Sequence, residues 1–343
     1  MRELARELLA GEEAWVVGGA VRDELLGREL VDLDIAVREP DAAARGYANR
    51  SGGAPFALSE RHGAWRVAFR DGRTVDFTPL PGTIEEDLAT RDFTINAIAV
   101  PLAGGEAVDP FAGRSDLEAK LIRVVSPTVF TDDPLRLMRA VRFEDELGFQ
   151  LEPETERLVR EHAVLVTKPT RERTLAELVR LSVDGYRRAD ELGLLAPLDG
   201  SSSGLERSAL VDRPAFRLVA VFGDALRRFP VSNETKRYAR ALLHARAPED
   251  GSPRSIHRFR RTTEPWTLDA LVFVGAPELE PEVLAARENE PAEPLLRGDE
   301  LGLPPGPEIG RLLELIAEER AAGTIVTRED ALELVSQERA ASN

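Results

Sequence analysis

Two carboxylates, Asp32 and Asp34, stand two residues apart in the run LVDLDIAV. In an extended strand the side chains alternate between faces, so both acids share one face and Leu33 and Ile35 the other. Two ionised carboxylates at that spacing repel each other, and a divalent cation, expected to be Mg2+, satisfies both. Such a pair suits phosphoryl-type transfer, in which metal ions activate an attacking oxygen and hold a leaving phosphate. A lone D-x-D fits a solvated strand edge equally well, so the chemistry needs further groups. Asp76 in RTVDFTPL is a candidate third acid, because Val75 and Phe77 take the opposite face of their strand. A surface strand residue is the plainer alternative there.

A phosphate cradle is the second requirement. Gly18 and Gly19 end the apolar run AWVVGG and open AVRDELLG, which reads as a helix closed by Gly27. Glycines at such a turn let backbone amides approach a phosphate. Arg22 and Asp23 follow on the first helical turn, about ten residues ahead of the D-x-D. The combination is far more specific than any one part.

The elements that must carry these residues are legible in outline. AWRVAFRDG and RTVDFTPL alternate as strands and meet at Asp71-Gly72, a hairpin signal. TINAIAV fits a strand or a helix. From Pro134 onward the apolar spacing turns helical, in PLRLMRAVRFEDEL, EPETERLVREHAVL and RTLAELVRLSV. The polar run 199–208 (DGSSSGLERS) reads as a boundary. A further helical region follows, then a Pro-, Gly- and Glu-rich stretch over 275–308 and a helix pair over about 309–335. The expected architecture is an α+β head over 1–125, a helical segment over 126–198 and a helical remainder over 199–343.

Composition bounds the function. With no cysteine, disulfides, zinc-thiolate sites and a thiol nucleophile are excluded. No apolar run approaches bilayer length, and the acidic N-terminus does not suit a secretion signal, so no membrane and a cytoplasmic location are expected. The formal net charge of −16 speaks against broad non-specific wrapping of nucleic acid, which favours basic surfaces. Basic clusters nonetheless occur: Arg136, Arg139 and Arg142; Lys168, Arg171 and Arg173; and Arg254, Arg258, Arg260 and Arg261. Any one of them also fits a solvated helix face.

Taken together, GGAVRDELLGRELVDLDIA closely resembles the opening signature of the class II tRNA nucleotidyltransferase and bacterial poly(A) polymerase family. The resemblance continues in order through DLATRDFTINAIAV, VDPFAGRSDLEAKLIRVV, DDPLRLMRAVRF and TRERTLAELVRL, and it returns at LGLPPGPEIGRLLELIAEERAAGTIVTREDALELV. It spans 14–182 almost completely and resumes near 298–335. It implies a polymerase-β-like head followed by helical neck, body and tail domains that hold tRNA. It assigns Asp32 and Asp34 to metal binding, Arg22 and Asp23 to the sugar and active-site geometry, and Arg91, Asp92 and Asn96 to the ribose and triphosphate. Arg139 and Arg142 belong to the same nucleotide-binding group. Lys168, Arg171, Arg173, Arg258, Arg260 and Arg261 are the expected RNA contacts.

Selection of the base follows from hydrogen-bond chemistry. Read as one helix, Asp133 and Arg136 lie three residues apart on one face. A carboxylate only accepts and a guanidinium only donates. Cytosine and adenine each offer an amino donor beside a ring-nitrogen acceptor, which matches the pair; guanine and uracil offer the reverse order. A surface ion pair is the alternative reading. The chain has Asp132-Asp133 where the family usually has Glu-Asp. The strand of Asp76 also runs almost directly into LPGTIEEDLATRD. Full CCA-adding relatives carry a longer flexible loop there, associated with the switch from C to A addition, so its loss implies a CC-adding enzyme that uses CTP. A full CCA-adding enzyme, which would also take ATP, is the close rival. Poly(A) polymerase, a silent RNA-binding paralogue and a small-molecule nucleotidyltransferase fit less well.

Overall fold

Short alternating runs punctuated by turn glycines fold the first third of the chain into one mixed sheet. The computed structural model describes residues 1–59 and 63–341, with the side chains of 59, 207–209 and 341 outside that description. Residues 1–198 form one compact unit and residues 199–343 a second.

Helix α1 (Arg2–Leu8) precedes strand β1 (Ala14–Val17), helix α2 (Gly19–Leu25), strand β2 (Asp32–Val37) and helix α3 (Pro40–Ser51). Strands β3 (Ala54–Ser59), β4 (Ala64–Ala68) and β5 (Thr74–Pro79) follow, then helix α4 (Ile84–Ala89) and strand β6 (Ala99–Pro101). The sheet order is β3-β4-β5-β2-β1-β6. Among the described residues of this sheet, only β2 and β5 pair in parallel, with Asp34 directly beside Asp76. The expected hairpin joins β4 to β5, and Gly72 supplies the positive φ of its turn.

The sheet has two unlike faces, as strand alternation requires. Leu33, Ile35, Val67, Val75 and Phe77 are buried on one of them. Helix α3 covers that face, and Tyr47 meets Phe77 with ring centroids 5.7 Å apart. Asp32, Asp34, Asp76 and Arg66 take the other face.

TINAIAV resolves into a single 3-10 turn (Thr94–Asn96) leading into β6. Helix α5 (Gly113–Ala119) packs on that turn so closely that a Cβ on Gly113 would lie 2.1 Å from the Thr94 carbonyl oxygen. Asp109 accepts hydrogen bonds from the backbone N–H groups of Gly113 and Arg114, fixing the start of α5.

A two-residue strand pair, β7 (Leu121–Ile122) with β8 (Gln150–Leu151), interrupts the otherwise helical remainder of this unit. Its helices are α6 (Val129–Asp132), α7 (Arg136–Leu147), α8 (Pro153–Glu161), α9 (Arg171–Leu178) and α10 (Val183–Glu191). Gly148 in the left-handed conformation closes α7.

The second unit contains α11 (Pro214–Phe222), α12 (Asn233–Leu243), α13 (Pro253–Thr263), α14 (Thr267–Val274), α15 (Glu280–Glu288), α16 (Pro307–Ala321) and α17 (Arg328–Ala341). Helix α15 falls inside the stretch read as merely Pro-, Gly- and Glu-rich; Pro281 is tolerated in its first turn, where its missing N–H has no intrahelical role. The glycine-rich run at 199–208 is no loose linker. A Cβ on Gly204 would sit 2.3 Å from the Ala220 carbonyl oxygen, so glycine there permits tight packing on α11. Leu312 and Ile316 of α16 share a core with Ile325 and with Ala331 and Val335 of α17.

Candidate active site

The signature residues of the head converge beside the glycine turn. Gly18 has φ +67°, and a Cβ there would lie 3.3 Å from Asp34 Oδ2 and 3.5 Å from Arg91 Nη1. Glycine is therefore required twice, for the left-handed backbone and for the close approach. Asp32 accepts a 2.6 Å hydrogen bond from the Thr74 hydroxyl. Burial, reinforced by the carboxylates of Asp76 and Asp32, pushes Asp34 up to about 6 against the opposing pull of Arg91 and Arg66. An acid held up by neighbouring negative charge is an electrostatic deficit that a hard cation with oxygen ligands relieves.

Asp76 faces these acids as expected, but it does not complete a three-acid site. Both of its oxygens are occupied by Arg66, whose Nε and Nη2 donate at 2.7 Å each. Among the described residues no group of three or more acidic or histidine side chains gathers as a cation site. The arginine opposite Asp76 in the hairpin takes both of its oxygens, although the Asp76 charge still raises Asp34.

Behind the acids lies a buried polar chain. Arg22 donates to Asp23 through Nε and Nη2 (2.9 and 3.0 Å) and, through Nη1, to Asn96 Oδ1 at 2.7 Å. Asn96 Nδ2 donates to Asp92 Oδ1 at 2.9 Å, and Arg139 Nε and Nη2 donate to Asp92 Oδ2 at 2.8 and 2.6 Å. Burial alone would raise Asp92, but the Arg139 guanidinium and the Asn96 amide outweigh it and hold the carboxyl below its ordinary value. Asp92 and Asn96 thus face inward and fix Arg22, Asp23 and Arg139. Arg91 is steadied separately, by Asp87 one turn earlier at 2.6 Å.

The fourth motif departs from its expected form. Asp133 and Arg136 do not share a helix face: α6 ends at Asp132, Asp133 is extended (φ −140°, ψ 98°) and α7 begins at Arg136. Pro134 is the cause, because the residue before a proline is driven out of the helical region. The two side chains do not pair with each other. Asp133 accepts from Arg173 Nη2 at 2.7 Å, and Arg136 Nη2 donates to the Thr90 carbonyl at 2.7 Å.

Other expected contacts are also committed elsewhere. Arg139 is held by Asp92, and Arg142 lies in the interior at 3.0 Å from Glu177, so neither is a free nucleotide ligand. Burial pulls Arg142 down to about 10 despite Glu177. In the second unit, Arg258, Arg260 and Arg261 are no shared basic track. Arg258 pairs with Glu318 and Arg261 with Glu314. Arg260 turns inward to Glu264, Glu290 and the Ala286 carbonyl. The acidic balance of the chain is what supplies these partners. Of the other cluster, Lys168 is exposed, Arg171 opens α9, and Arg173 holds Asp133.

Sequence reasoning passed over Arg66, Asp87 and Glu177. The first two had signals: Arg66 faces Asp76 once the Asp71-Gly72 turn sets the hairpin register, and Asp87 of α4 precedes Arg91, just past the end of that helix, by four residues. Glu177 lies on the buried stripe of α9 with Thr174 and Leu178, where an acid implies a buried cation partner.

With this geometry in place, the chain can be set beside known proteins. Residues 14–80 and 66–123 match the Poly A polymerase head domain. The chain is 33% identical to the A-adding tRNA nucleotidyltransferase of Deinococcus radiodurans, over 94% of this chain and 95% of that one. It is 32% identical to the CC-adding tRNA nucleotidyltransferase of Thermus thermophilus, over 93% and 92%. The crystal structure of the Bacillus stearothermophilus CCA-adding enzyme in complex with CTP superposes with a TM-score of 0.75, at 26% identity over 99% of this chain and 97% of that one. Signature, fold and relatives agree, and the chain belongs to the family of class II tRNA nucleotidyltransferases and bacterial poly(A) polymerases.

Proposed function

We propose that this enzyme adds cytidylate from CTP to the 3′ end of tRNA and stops at CC. One observation carries the specificity: β5 ends at Pro79 and α4 begins at Ile84, leaving only residues 80–83 between them. That connection is taut. Leu80 and Ile84 are buried, and Thr83 and Glu86 form a reciprocal capping box. It leaves no span for the longer loop that full CCA-adding relatives carry at this point.

Asp32 and Asp34 are the residues that would hold divalent cations, with Mg2+ the expected ion. Bound there, the ions supply a more nucleophilic primer hydroxyl and charge neutralisation at the leaving pyrophosphate. The primer 3′-oxygen forms a bond to the α-phosphorus of CTP as the bond to the bridging pyrophosphate oxygen breaks. The Gly18 turn and Arg91 receive the triphosphate. Arg22 and Asp23, clamped through Asn96 and Asp92, set the sugar.

Asp133 and Arg136, an acceptor and a donor at the turn between α6 and α7, are assigned to the pairing edge of the base; Asp133 exchanges Arg173 for the nucleotide. Residues 1–125 act as the catalytic head, 126–198 as the neck and 199–343 as the tRNA-holding body and tail, with Lys168 and Arg171 as phosphate contacts.

The likeness to the A-adding relative from Deinococcus radiodurans favours a second reading, addition of A from ATP. Incubation with Mg2+ and labelled CTP or ATP separates the two, using tRNA ending at the discriminator base or at CC. The proposal expects two cytidylates on the first substrate and nothing on the second. Extension of only the CC-ended tRNA with ATP would replace it with the A-adding reading, and completion to CCA with the full enzyme.

A further inference from the structure

The face of the sheet that carries the acids does not stop at them. Asp34 of β2 lies beside Asp76 of β5, Asp76 opposite Arg66 of β4, and Arg66 opposite Phe56 of β3. One row thus crosses four strands on one face: two acids, an arginine, then an aromatic ring. Phe56 is 45% exposed, and the ladder bulges just after it, between Ala57 and Ser59. On the opposite face, by contrast, Trp65 lies under Arg45 of α3 at 4.7 Å. A half-exposed aromatic ring at the end of the row that begins at the acids offers a stacking surface in line with the site.

The direction of the chemistry identifies the occupant. Gly18 and Arg91 lie toward β1, so the triphosphate and its leaving group occupy that flank of Asp34. In an in-line displacement the attacking oxygen arrives from the side opposite the leaving one. The primer strand must therefore approach over β5, β4 and β3. Three strand spacings put Phe56 about 14 Å from Asp34, within a few nucleotides of the reacting end. Unpaired RNA bases stack on exposed aromatic rings, and Arg66, paired with Phe56 across the ladder, places a cation beside the backbone that joins them.

We propose that Phe56 is a stacking platform for a base near the 3′ end of the acceptor strand. The inference rests on the nucleotidyl-transfer reading and deepens it. The ring holds RNA and does not contact the incoming nucleotide. Pairing with a second copy of this chain is the competing use of an edge strand. Pro55 removes a backbone donor from this edge and counts against that use.

Steady-state kinetics of the full chain with CTP and tRNA lacking its terminal CCA test the platform in wild type, Phe56→Ala and Phe56→Tyr. Phe56→Ala is expected to raise KM for tRNA roughly five- to tenfold, at the low end of what one lost base–aromatic stack is worth. Its KM for CTP and its kcat should stay within about twofold of wild type, and Phe56→Tyr should restore the tRNA KM. Melting curves and sedimentation of all three proteins accompany the kinetics. An unchanged tRNA KM in Phe56→Ala, or equal damage in both variants, overturns the platform while leaving the activity standing. A wild-type dimer that Phe56→Ala dissociates overturns it in favour of a second copy. Wild-type protein that incorporates no nucleotide removes the activity and the platform together.

Discussion

Arg22 and Asn96, separated by 74 positions in sequence, meet in the interior through a 2.7 Å hydrogen bond from Arg22 Nη1 to Asn96 Oδ1. The amide nitrogen of the same asparagine donates to Asp92. Its side chain therefore joins the arginine of the glycine-turn helix to the aspartate of the second motif, and neither contact survives truncation. Asn96→Ala leaves a buried guanidinium N–H and a carboxylate oxygen each short of a partner, at a cost of about 1–3 kcal/mol. The expected result is a lower melting temperature together with a kcat for CTP incorporation reduced about tenfold or more, since Arg22 loses its orientation. Wild-type kcat in a folded Asn96→Ala protein would detach this chain of residues from catalysis.

Asp34 is predicted to make the metal-free protein less stable as pH rises. Its folded-state value near 6 lies above the ordinary carboxylate value of 3.8. The folded state therefore keeps a proton that the unfolded state releases. Stability falls across the window from about pH 4 to 6 and stays depressed above it. Burial, Asp76 and Asp32 cause the penalty, and Arg91 and Arg66 offset part of it. Asp34→Asn removes it, so the variant should melt several degrees above wild type at pH 8 and level with it near pH 4, while losing nucleotide incorporation. Added Mg2+ or Mn2+ should raise the wild-type melting temperature and leave the variant unmoved. Equal metal-induced shifts in both proteins would place the cation elsewhere.

The head was legible in the sequence because its determinants are local. Alternation in LVDLDIAV fixed the faces of Asp32 and Asp34, and Asp71-Gly72 fixed the hairpin that carries Asp76. What could not be read was competition among partners. The hairpin register puts Arg66 opposite Asp76 but does not say that it takes both of the carboxylate's oxygens, and the periodicity of DDPLRLMRAVRF hides the break that Pro134 imposes beside Asp133. Arg258, Arg260 and Arg261 looked like one basic patch because their partners, Glu318, Glu290 and Glu314, lie 30 to 60 positions away in sequence.

The pair Arg142 and Glu177 joins α7 to α9 inside the unit, with the two side chains only 6% and 9% exposed. The Arg142 Nε and Glu177 Oε2 are 3.0 Å apart yet off hydrogen-bond geometry, so attraction between charges carries the contact. Removing one partner strands the other in low dielectric, which costs about 3–5 kcal/mol. Glu177→Ala should therefore lower the melting temperature markedly, whereas Arg142→Met combined with Glu177→Leu should recover most of the loss. A single variant as stable as wild type would show that water reaches the pair.

Base choice is expected to depend on Asp133 and Arg136 separately, because they sit on opposite sides of a helix break. Asp133→Asn exchanges an acceptor for a side chain that both donates and accepts, so it tolerates the reversed pairing edge of uracil. Incorporation of UTP relative to CTP should rise at least tenfold, the size of discrimination that one buried unpaired polar group supplies. The same variant loses the ion pair with Arg173, so Arg173→Ala is the necessary control: it breaks that pair and leaves the acceptor in place. Relaxed UTP incorporation in Asp133→Asn but not in Arg173→Ala assigns the carboxylate to the base. If both variants admit UTP equally, the shape of the turn selects the nucleotide, and Asp133 acts only by holding α9 through Arg173.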